Sequence, residues 1–298
     1  MTHVATLISA AAGLDHDAIA TARSLLPAAA APTWLDPDRA VDLLFDAENG
    51  SDSQALADRL RRALSPLAID VVVQPTARRR KRLLLADMDS TMIGQECIDE
   101  LADVIGKKAH VAAITERAMR GDVEFAPALI ERVALLAGLP AKVIDDVIAE
   151  RIRLTDGARA LVATMRAHGA YTCLVSGGFT LFAAAIAAMI GFDEARANQL
   201  VIDRDGKLTG QVIEPILGRD AKLSTLVELR ERQQLEKDDT LVIGDGANDL
   251  AMIAAAGLGV AFHAKPAVAA AAAARIDHGD LTALLYAQGY RREEIVTE

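Results

Sequence analysis

The sequence predicts an α/β protein built on a doubly wound parallel sheet, with a helical cap inserted into it and a small α+β unit in front of it. Three short runs, residues 83–86, 172–175 and 240–243, are apolar and rich in Leu or β-branched residues, which is typical of buried parallel strands. Segments with helical periodicity alternate with these runs, as in doubly wound sheets. Each run ends in a polar or glycine-rich turn, and ligands in such folds bind outside the carboxyl ends of the strands.

The composition favours a packed globular protein and argues against several kinds of partner. Of the 298 residues, 52% are apolar and 25% are charged, and the formal net charge of −10 disfavours nucleic acid or an anionic membrane as partner. The basic run 78–82 is interpreted as a solvated linker or strand entry. Neither a signal peptide nor an apolar run of roughly 20 residues is present, so a cytoplasmic location is expected. The two cysteines, Cys97 and Cys173, fit neither a disulfide framework nor a zinc site.

Residues 1–77 have a pattern of their own and are expected to form a separate domain. The predicted elements are strands at 4–9, 40–45 and 69–74 and helices at 15–26 and 52–64, and Ser51 or Asp52 can cap the second helix. This order fits a ferredoxin-like α+β sandwich, and its layout resembles the ACT-type regulatory domains found beside many amino-acid enzymes. The segment 75–82 is predicted to be a hinge, and the second domain is predicted to cover 78–298.

The second domain contains a long helical stretch between its first two sheet strands. Helical periodicity extends from about residue 98 to 153, which is too long for one crossover, so we predict a cap at about 96–155 above the strand ends. The other predicted elements are helices at 158–168, 181–190, 221–234 and 249–256, a hairpin formed by 198–203 and 207–214, and strands at 260–262 and 275–276.

The first sheet strand leads into a pair of acids, Asp87 and Asp89. Alternate residues of an extended segment point the same way, so both carboxylates can serve one ligand. One carboxylate can attack a phosphorus centre, and the other can protonate the leaving oxygen and later activate water. Taken alone, the pair is equally well explained as an acidic turn or a nonspecific cation site.

The third sheet strand leads into the segment 244–249, which reads GDGAND. Hard oxygen ligands suit Mg²⁺, and Asp245 and Asp87 can each supply one. Asp249 begins the next helix, where it can hold a metal-bound water or cap the helix. Without the other motifs, this segment is also consistent with a plain strand-to-helix turn.

The second sheet strand leads into Ser176, Gly177 and Gly178 before a helix. A hydroxyl and backbone N–H groups at a helix start make a cradle for an anion. Lys222, near the start of another predicted helix, can neutralise charge on a phosphoryl group. Each feature is weak by itself, because Ser-Gly-Gly is common in loops and most helix lysines are solvated.

The four motifs together, DMDST at 87–91, SGG at 176–178, Lys222 and GDGAND at 244–249, resemble the haloacid dehalogenase superfamily. Within it, the chain is similar to the bacterial phosphoserine phosphatase family over roughly residues 82–285. The resemblance implies Mg²⁺-dependent hydrolysis of O-phospho-L-serine through an aspartyl phosphate, the last step of serine biosynthesis. It also implies a haloacid-dehalogenase-like fold for the second domain.

The resemblance also implies roles for individual residues. Asp87 matches the family nucleophile and Asp89 its general acid and base. Asp87, the backbone carbonyl of Asp89 and Asp245 match the Mg²⁺ ligands. Asp249 matches a residue that supports these ligands without binding the metal directly. The residues that match phosphate contacts are Ser176, Gly177, Lys222 and Asn248.

Four cap residues match the family's contacts with the rest of the substrate. Glu96 matches the residue that receives the ammonium group, Arg132 the one that clamps the carboxylate, and Met119 and Phe125 apolar contacts of the pocket. Without the resemblance, these residues are explained as solvated helix charges and core. The cap departs from the family at 124–129, where EFAPAL replaces the usual DFxxSL and a serine hydroxyl is lost.

Two other functions are compatible with the same motifs. A phosphotransferase, or a phosphatase of another small amino-acid phosphate, would use the same aspartyl-phosphate chemistry. Alternatively, the chain is chiefly an amino-acid sensor whose binding module is 1–77, although the intact motif set argues against lost activity. The expected partners are a small-molecule substrate and, as a homodimer, a second copy of the chain.

Overall fold

The computed structural model of the chain describes residues 1–11, 13–47, 52–119 and 122–297. Its strands are β1 (His3–Ser9), β2 (Thr33–Asp36), β3 (Ala40–Phe45), β4 (Ile69–Pro75), β5 (Leu83–Ala86), β6 (Tyr171–Phe179), β7 (Glu194–Asn198), β8 (Leu200–Ile202), β9 (Leu208–Val212), β10 (Thr240–Gly244), β11 (Leu258–Phe262) and β12 (Ala274–Ile276). Its α-helices are α1 (His16–Ser24), α2 (Ser53–Leu64), α3 (Cys97–Val104), α4 (Lys108–Met119), α5 (Phe125–Ala134), α6 (Val143–Glu150), α7 (Ala158–Ala167), α8 (Thr180–Ile190), α9 (Arg219–Arg232), α10 (Leu250–Ala255), α11 (Pro266–Ala271) and α12 (Ala283–Ala287). Within the described ranges, no helix is long and apolar enough to cross a membrane.

The larger sheet has six parallel strands in the order β12-β11-β10-β5-β6-β7. Successive side chains of a strand point to opposite faces. Accordingly, Leu83 and Leu85 pack in one core with α9 and α10, whereas Leu84 and Ala86 pack in another with α7, α8 and α12. Helices therefore cover both faces, and the predicted doubly wound α/β fold is confirmed.

The first part of the chain forms a second, antiparallel sheet in the order β2-β3-β1-β4. With α1 and α2 it has the βαββαβ order of a ferredoxin-like unit. The prediction found every element of this unit except β2. That strand has four residues, a bulge between Trp34 and Asp36, and an exposed first residue, so it lacks a recognisable apolar pattern.

Short polar side chains begin both helices of this unit. Asp15 accepts a hydrogen bond from the backbone N–H of Ala18 at 2.8 Å, and Asp52 accepts one from Gln54 at 2.9 Å. Asp52 is thus the cap of α2 that the sequence suggested. The alternative cap, Ser51, lies outside the described residues.

The basic run 78–82 leads directly into β5, as the predicted strand entry, but not all of its side chains are solvated. Arg79 donates two hydrogen bonds to the carboxylate of Asp42, at 2.6 and 2.7 Å, and Lys81 is buried. Arg80 pairs with Glu294 at 2.7 Å. These side chains join the antiparallel unit to the rest of the protein, because their partners lie on both sides of the segment.

In the described part of the helical insertion between β5 and β6, the helices are α3, α4, α5 and α6, where the sequence showed continuous helical periodicity. Its two connections to the larger sheet lie side by side. Ile93 and Leu154 form an antiparallel bridge, and the N–H of Gly94 donates to the carbonyl of Arg153 at 3.1 Å. The insertion therefore enters and leaves through one narrow ribbon.

The predicted hairpin is present as β8 and β9, with shorter strands than expected. It packs against the insertion, and Gly210 makes this contact possible. A side chain at Gly210 would begin 3.0 Å from the Cβ of Ala137 and 3.2 Å from the backbone of Ala134. The strand before the hairpin, β7, was not predicted, because its residues, EARAN, are mostly polar or small.

Candidate active site

Three neighbouring strands, β10, β5 and β6, bring the predicted residues to one edge of the sheet. Asp87 follows β5 in an extended conformation and is almost completely buried. Asp245 follows β10, and Ser176 lies in β6, which continues to Phe179, four residues beyond its predicted end. The pairing of β6 with β7 shifts register after Val175, so the strand is irregular at the serine and glycines. The predicted meeting of the three strand ends is therefore present.

Lys222 joins two of the acids. Its Nζ lies 2.6 Å from Asp87 Oδ1 and 2.7 Å from Asp249 Oδ1, and its side chain is completely buried. Burial alone would lower the pKa of Lys222, but the two carboxylates outweigh this effect and raise it. Asp87 Oδ1 also accepts a hydrogen bond from the N–H of Met88 at 2.8 Å. Lys222 is therefore a fixed positive charge beside the candidate nucleophile.

A cluster of carboxylates beside Lys222 can bind a divalent cation. Single oxygen atoms of Asp87, Asp245 and Asp249 lie within 4.8 Å of one another. Burial and the charge of Asp249 raise the pKa of Asp245 to about 6, although Thr91 donates a hydrogen bond to it at 3.2 Å. Burial and Asp249 also raise the pKa of Asp87. Three carboxylates against one ammonium group leave an excess of negative charge, and hard oxygen donors fit a divalent metal ion.

The glycines of the GDGAND segment leave room for its acidic and amide side chains. A Cβ on Gly244 would lie 2.4 Å from Asp249 Oδ2, and one on Gly246 would lie 2.3 Å from Asn248 Oδ1. The N–H of Gly246 donates to Asp249 Oδ2 at 3.1 Å. A side chain at either glycine would thus displace a predicted site residue.

Asp89 lies between the start of α3 and the glycine turn of β6. Its Oδ1 accepts a hydrogen bond from the N–H of Cys97 at 2.8 Å, and its Oδ2 accepts one from the hydroxyl of Ser176 at 3.1 Å. The same serine hydroxyl accepts from the N–H of Gly178 at 2.8 Å. These hydrogen bonds connect Asp89, the candidate general acid and base, to the Ser176–Gly178 turn, which was predicted to hold an anion.

Asn198 is a site residue that the sequence analysis missed. It is buried at the end of β7, and its amide nitrogen donates to the carbonyls of Gly177 at 2.9 Å and Leu217 at 3.1 Å. Its amide oxygen accepts from the N–H of Leu217 at 2.6 Å. This side chain joins the glycine turn to the segment that begins α9 and carries Lys222. A single asparagine in a polar strand gave no sequence signal of this role.

Glu96 lies at the exposed mouth of the site. Its Oε1 accepts a hydrogen bond from the hydroxyl of Ser90 at 2.7 Å. Desolvation inside the cleft and the charge of Asp89 raise the pKa of Glu96 to about 7. The residue still has solvent-exposed surface, so the cleft is open on this side.

Arg132 lies in the insertion, on α5, and is held by its own helix and by α4. Its Nε donates to the carbonyl of Ala128 and its Nη1 to the hydroxyl of Thr115, each at 3.2 Å. Burial lowers the pKa of Arg132, and the carboxylates of Asp99 and Glu96 oppose this effect. The structure therefore places Arg132 within the electrostatic reach of the cleft acids without a direct ion pair to the Asp cluster.

Phe125 begins α5 and reaches across the cleft. A Cβ on Gly177 or Gly218 would lie 3.0 or 3.1 Å from its ring. The ring thus covers the two glycine turns that Asn198 joins. The side chain of Met119, the other predicted apolar contact, lies outside what the structure describes.

The chain belongs to the haloacid dehalogenase-like hydrolases. Residues 84–254, more than half of its length, match that family. Phosphatases of this family generally use a divalent metal ion, and the cluster of Asp87, Asp245 and Asp249 is placed to bind one.

Several relatives and solved structures are similar to this chain. A phosphoserine phosphatase of Mycobacterium tuberculosis is 44% identical over 229 residues, which are 76% of this chain and 56% of that protein. The chain thus spans little more than half the length of that relative. The structure of a probable phosphoserine phosphatase from Vibrio cholerae has a TM-score of 0.79 and 31% identity, and the match covers 98% of this chain and 88% of that one. The structure of a phospho-aspartyl intermediate analogue of phosphoserine phosphatase has a TM-score of 0.65 and 38% identity. The match covers 72% of this chain and 100% of that one.

Proposed function

We propose that the protein is a Mg²⁺-dependent phosphoserine phosphatase that hydrolyses O-phospho-L-serine to L-serine and phosphate, the last step of serine biosynthesis. The observation that carries the proposal is the buried contact of Lys222 with Asp87, beside a carboxylate cluster and the Asp89–Ser176 hydrogen bond. The similar proteins described above are phosphoserine phosphatases or, in the case of the Vibrio cholerae protein, a probable one, which supports this substrate.

In the first step, an oxygen of Asp87 attacks the phosphorus atom and the bond from phosphorus to the serine oxygen breaks. Asp89, protonated at this point, gives its proton to that oxygen, so serine leaves as the neutral alcohol. Lys222 offsets the repulsion between a carboxylate and a phosphate dianion. Lys222 and the N–H of Met88 hold the carboxylate of Asp87 in one orientation. This orientation favours its attack on the phosphoryl group.

In the second step, Asp89 takes a proton from water and the water oxygen attacks the aspartyl phosphate. The bond from phosphorus to Asp87 breaks, and phosphate is released. Ser176, Gly177, Lys222 and Asn248 are the proposed phosphate contacts. The proximity of Asp89 to Ser176 supports this arrangement, since the acid and base lies beside the proposed cradle.

We propose Mg²⁺ as the metal, bound by Asp87, Asp245 and the backbone carbonyl of Asp89, with Asp249 behind them. When bound, it supplies positive charge that polarises the phosphoryl oxygens. The oxygen donors and the uncompensated negative charge of the cluster support a hard divalent cation.

The rest of the substrate carries an ammonium and a carboxylate, and a closed site must pair both because desolvated charges are costly. We propose that Glu96 receives the ammonium, that Arg132 clamps the carboxylate, and that Met119 and Phe125 supply apolar contacts. A guanidinium is well suited to a carboxylate. The insertion closes during the first step and reopens for release of serine.

The test is phosphate release from a panel of phosphoserine, phosphothreonine, small sugar phosphates and p-nitrophenyl phosphate, with Mg²⁺ and with EDTA. A metal-dependent preference for phosphoserine is expected. A preference for another ester would retain the chemistry and refute the substrate. Transfer of phosphate to an added alcohol in place of water would favour a phosphotransferase.

Arg132→Ala is expected to raise KM for phosphoserine by about 100-fold, because a charge-assisted pair with the substrate carboxylate is lost. Hydrolysis of p-nitrophenyl phosphate, which lacks that carboxylate, is expected to change by less than about threefold. Arg117→Ala is the matched control, since Arg117 belongs to the same insertion and pairs with Glu131 at 3.3 Å. Equal losses on both substrates would refute the carboxylate role.

We further propose an ACT-like domain at 1–77, a phosphatase domain at 78–298 with its cap at about 96–155, a cytoplasmic location and a homodimer. The βαββαβ order supports the ACT-like domain. Two buried, unpaired cysteines, Cys97 and Cys173, fit a reducing compartment and so support the cytoplasmic location. The edge strand β2 offers a surface for dimerisation. Light scattering of the intact chain tests the dimer, and a truncation at residue 78 tests the domain division.

A further inference from the structure

Ser90 has an unusual backbone conformation. It directly follows Asp89, the candidate general acid and base, and precedes the helical insertion. Its φ of 54° and ψ of 7° lie in the left-handed region, which non-glycine residues rarely adopt. A glycine would take this conformation without strain. Strained non-glycine residues persist where the surrounding structure holds them, and they are concentrated at functional sites.

The hydroxyl of Ser90 has a specific partner in the carboxylate of Glu96, 2.7 Å away. Glu96 immediately precedes α3, where a side chain ordinarily accepts the first N–H groups of the helix. Its carboxylate makes no such bond and is turned towards Ser90. The N–H of Cys97, the first residue of the helix, donates to Asp89.

We propose that Ser90 is a positioning residue that holds Glu96 ready for the ammonium group of the substrate, and so selects phosphate esters that carry an amine. This inference rests on the proposed function of the site. Ser90 binds Oε1 of Glu96, and among the described residues none donates a hydrogen bond to Oε2. That second oxygen is therefore available to accept from an ammonium group, while the first fixes the side chain.

Three substrates separate the ammonium from the other substrate groups. Phosphoserine carries an ammonium and a carboxylate, phosphoethanolamine only the ammonium, and phosphoglycolate only the carboxylate. For both Ser90→Gly and Ser90→Ala, KM is expected to rise about tenfold for the two aminated esters, with kcat changed by less than about twofold, since one hydrogen bond to a charged group is lost. Kinetics with phosphoglycolate are expected to stay as in the wild type.

The pair of variants separates the hydroxyl from the backbone strain. Glycine removes both the hydroxyl and the strain, whereas alanine removes only the hydroxyl, so equal effects of the two assign the effect to the hydroxyl. Equal losses on all three substrates, or an effect of alanine alone, would overturn the proposal. Thermal melting of Ser90→Gly, expected at or above the wild-type temperature, verifies that the variant is folded.

Glu96→Gln distinguishes a failure of this inference from a failure of the proposed function. If Glu96→Gln leaves the preference for aminated esters intact, Glu96 does not bind the ammonium and both ideas fail. If it removes that preference while Ser90→Gly does not weaken it, only the role of Ser90 is refuted. In the double variant, Ser90→Gly is expected to add no further loss on phosphoserine, because its action passes through Glu96.

Discussion

Two groups of charged side chains lie near opposite ends of helix α9 and differ in their balance of charge. The cleft group consists of Asp87, Asp245, Asp249 and Lys222, near the start of the helix. It contains three acids and one base, and Lys222 is completely buried. Burial and mutual repulsion raise the pKa of Asp245 to about 6.

The edge group consists of Glu194, Arg196, Glu228 and Arg232, about 15 Å further along the helix. It contains two acids and two bases, and the Arg232 side chain is 44% exposed. Burial alone would raise the pKa of Glu194, but hydrogen bonds from Arg232, Tyr171 and Arg196 outweigh it and lower the pKa to about 2. Tyr171 donates its hydroxyl hydrogen bond to Glu194 at 2.7 Å.

The contrast shows how similar side chains serve different purposes. The edge group is neutral as a whole, so each acid is stabilised by partners within the protein. The cleft group has more acids than its single lysine can balance, and burial prevents water from screening them. A buried group with uncompensated negative charge can bind a cation, whereas a balanced group at the surface is suited to stabilising the fold.

The largest expected effect is the loss of turnover on replacing the proposed nucleophile. Asp87→Asn is expected to lower kcat for phosphoserine by a factor on the order of 10⁴ or more, as removal of a covalent nucleophile does in other enzymes. The folded state is expected to be as stable as the wild type in EDTA, or more so, because one of three crowded carboxylates becomes neutral. Substantial activity in a clean preparation would refute the covalent scheme.

Lys222→Met is expected to destabilise the metal-free protein by about 3–5 kcal/mol in urea unfolding, because it leaves buried carboxylates without their cation. Arg232→Met is the matched control on the same helix. Its side chain is partly exposed, so a cost of at most about 1 kcal/mol is expected. Similar losses for the two variants would remove the distinction between the groups.

Metal binding is expected to stabilise the protein through the cleft group alone. At 100 times its Kd, Mg²⁺ should add about 2.7 kcal/mol to the free energy of unfolding, which appears as a higher Tm in thermal melting. Asp245→Asn should lose most of this gain, whereas Glu228→Gln, in the edge group, should retain it. An equal Mg²⁺ response in the wild type and Asp245→Asn would place the metal elsewhere.

The smallest expected effect concerns the edge group and depends on pH. The pKa of Glu194 is lowered from its ordinary value of 4.5 to about 2 in the folded protein. The ionised carboxylate therefore stabilises the fold fully above pH 4.5, and this stabilisation is lost as the pH falls towards 2. Glu194→Gln should therefore cost about 1 kcal/mol at pH 7, discounted for solvent screening, and nearly nothing at pH 2. Urea unfolding at both pH values measures this, with phosphatase activity at pH 7 expected to be unchanged. A cost that persists at pH 2 would indicate lost packing.

The sequence predicted the larger sheet well because apolar runs with polar ends are a local pattern. It was less successful where an element depends on its neighbours. Strand β7, with the sequence EARAN, is a strand because it pairs with β6, and β2 because it pairs with β3. The basic run 78–82 was interpreted as a solvated linker or strand entry, and its ion pairs were not predicted, since sequence alone does not show that Asp42 and Glu294 lie beside it.

The same division applies to the candidate site. Placement of Asp87, Asp89 and Asp245 at strand ends follows from local patterns, and the resemblance to a family supplied roles for them. The contribution of Asn198 could not be predicted, because its partners lie 19 and 21 residues away and the hydrogen bonds form only when two turns meet. The same holds for the contact of Phe125 with Gly177 and Gly218.

The sequence by itself determined that this chain forms a doubly wound α/β sheet with acids at its strand ends, because hydrophobic periodicity and turn residues act over a few positions. Only the tertiary structure decided how the charges combine. Lys222 lies between two acids, Glu96 turns towards Ser90, and the edge group closes into a neutral network. The physical reason is that electrostatic energies depend on distance and burial, which are fixed only when distant segments pack together.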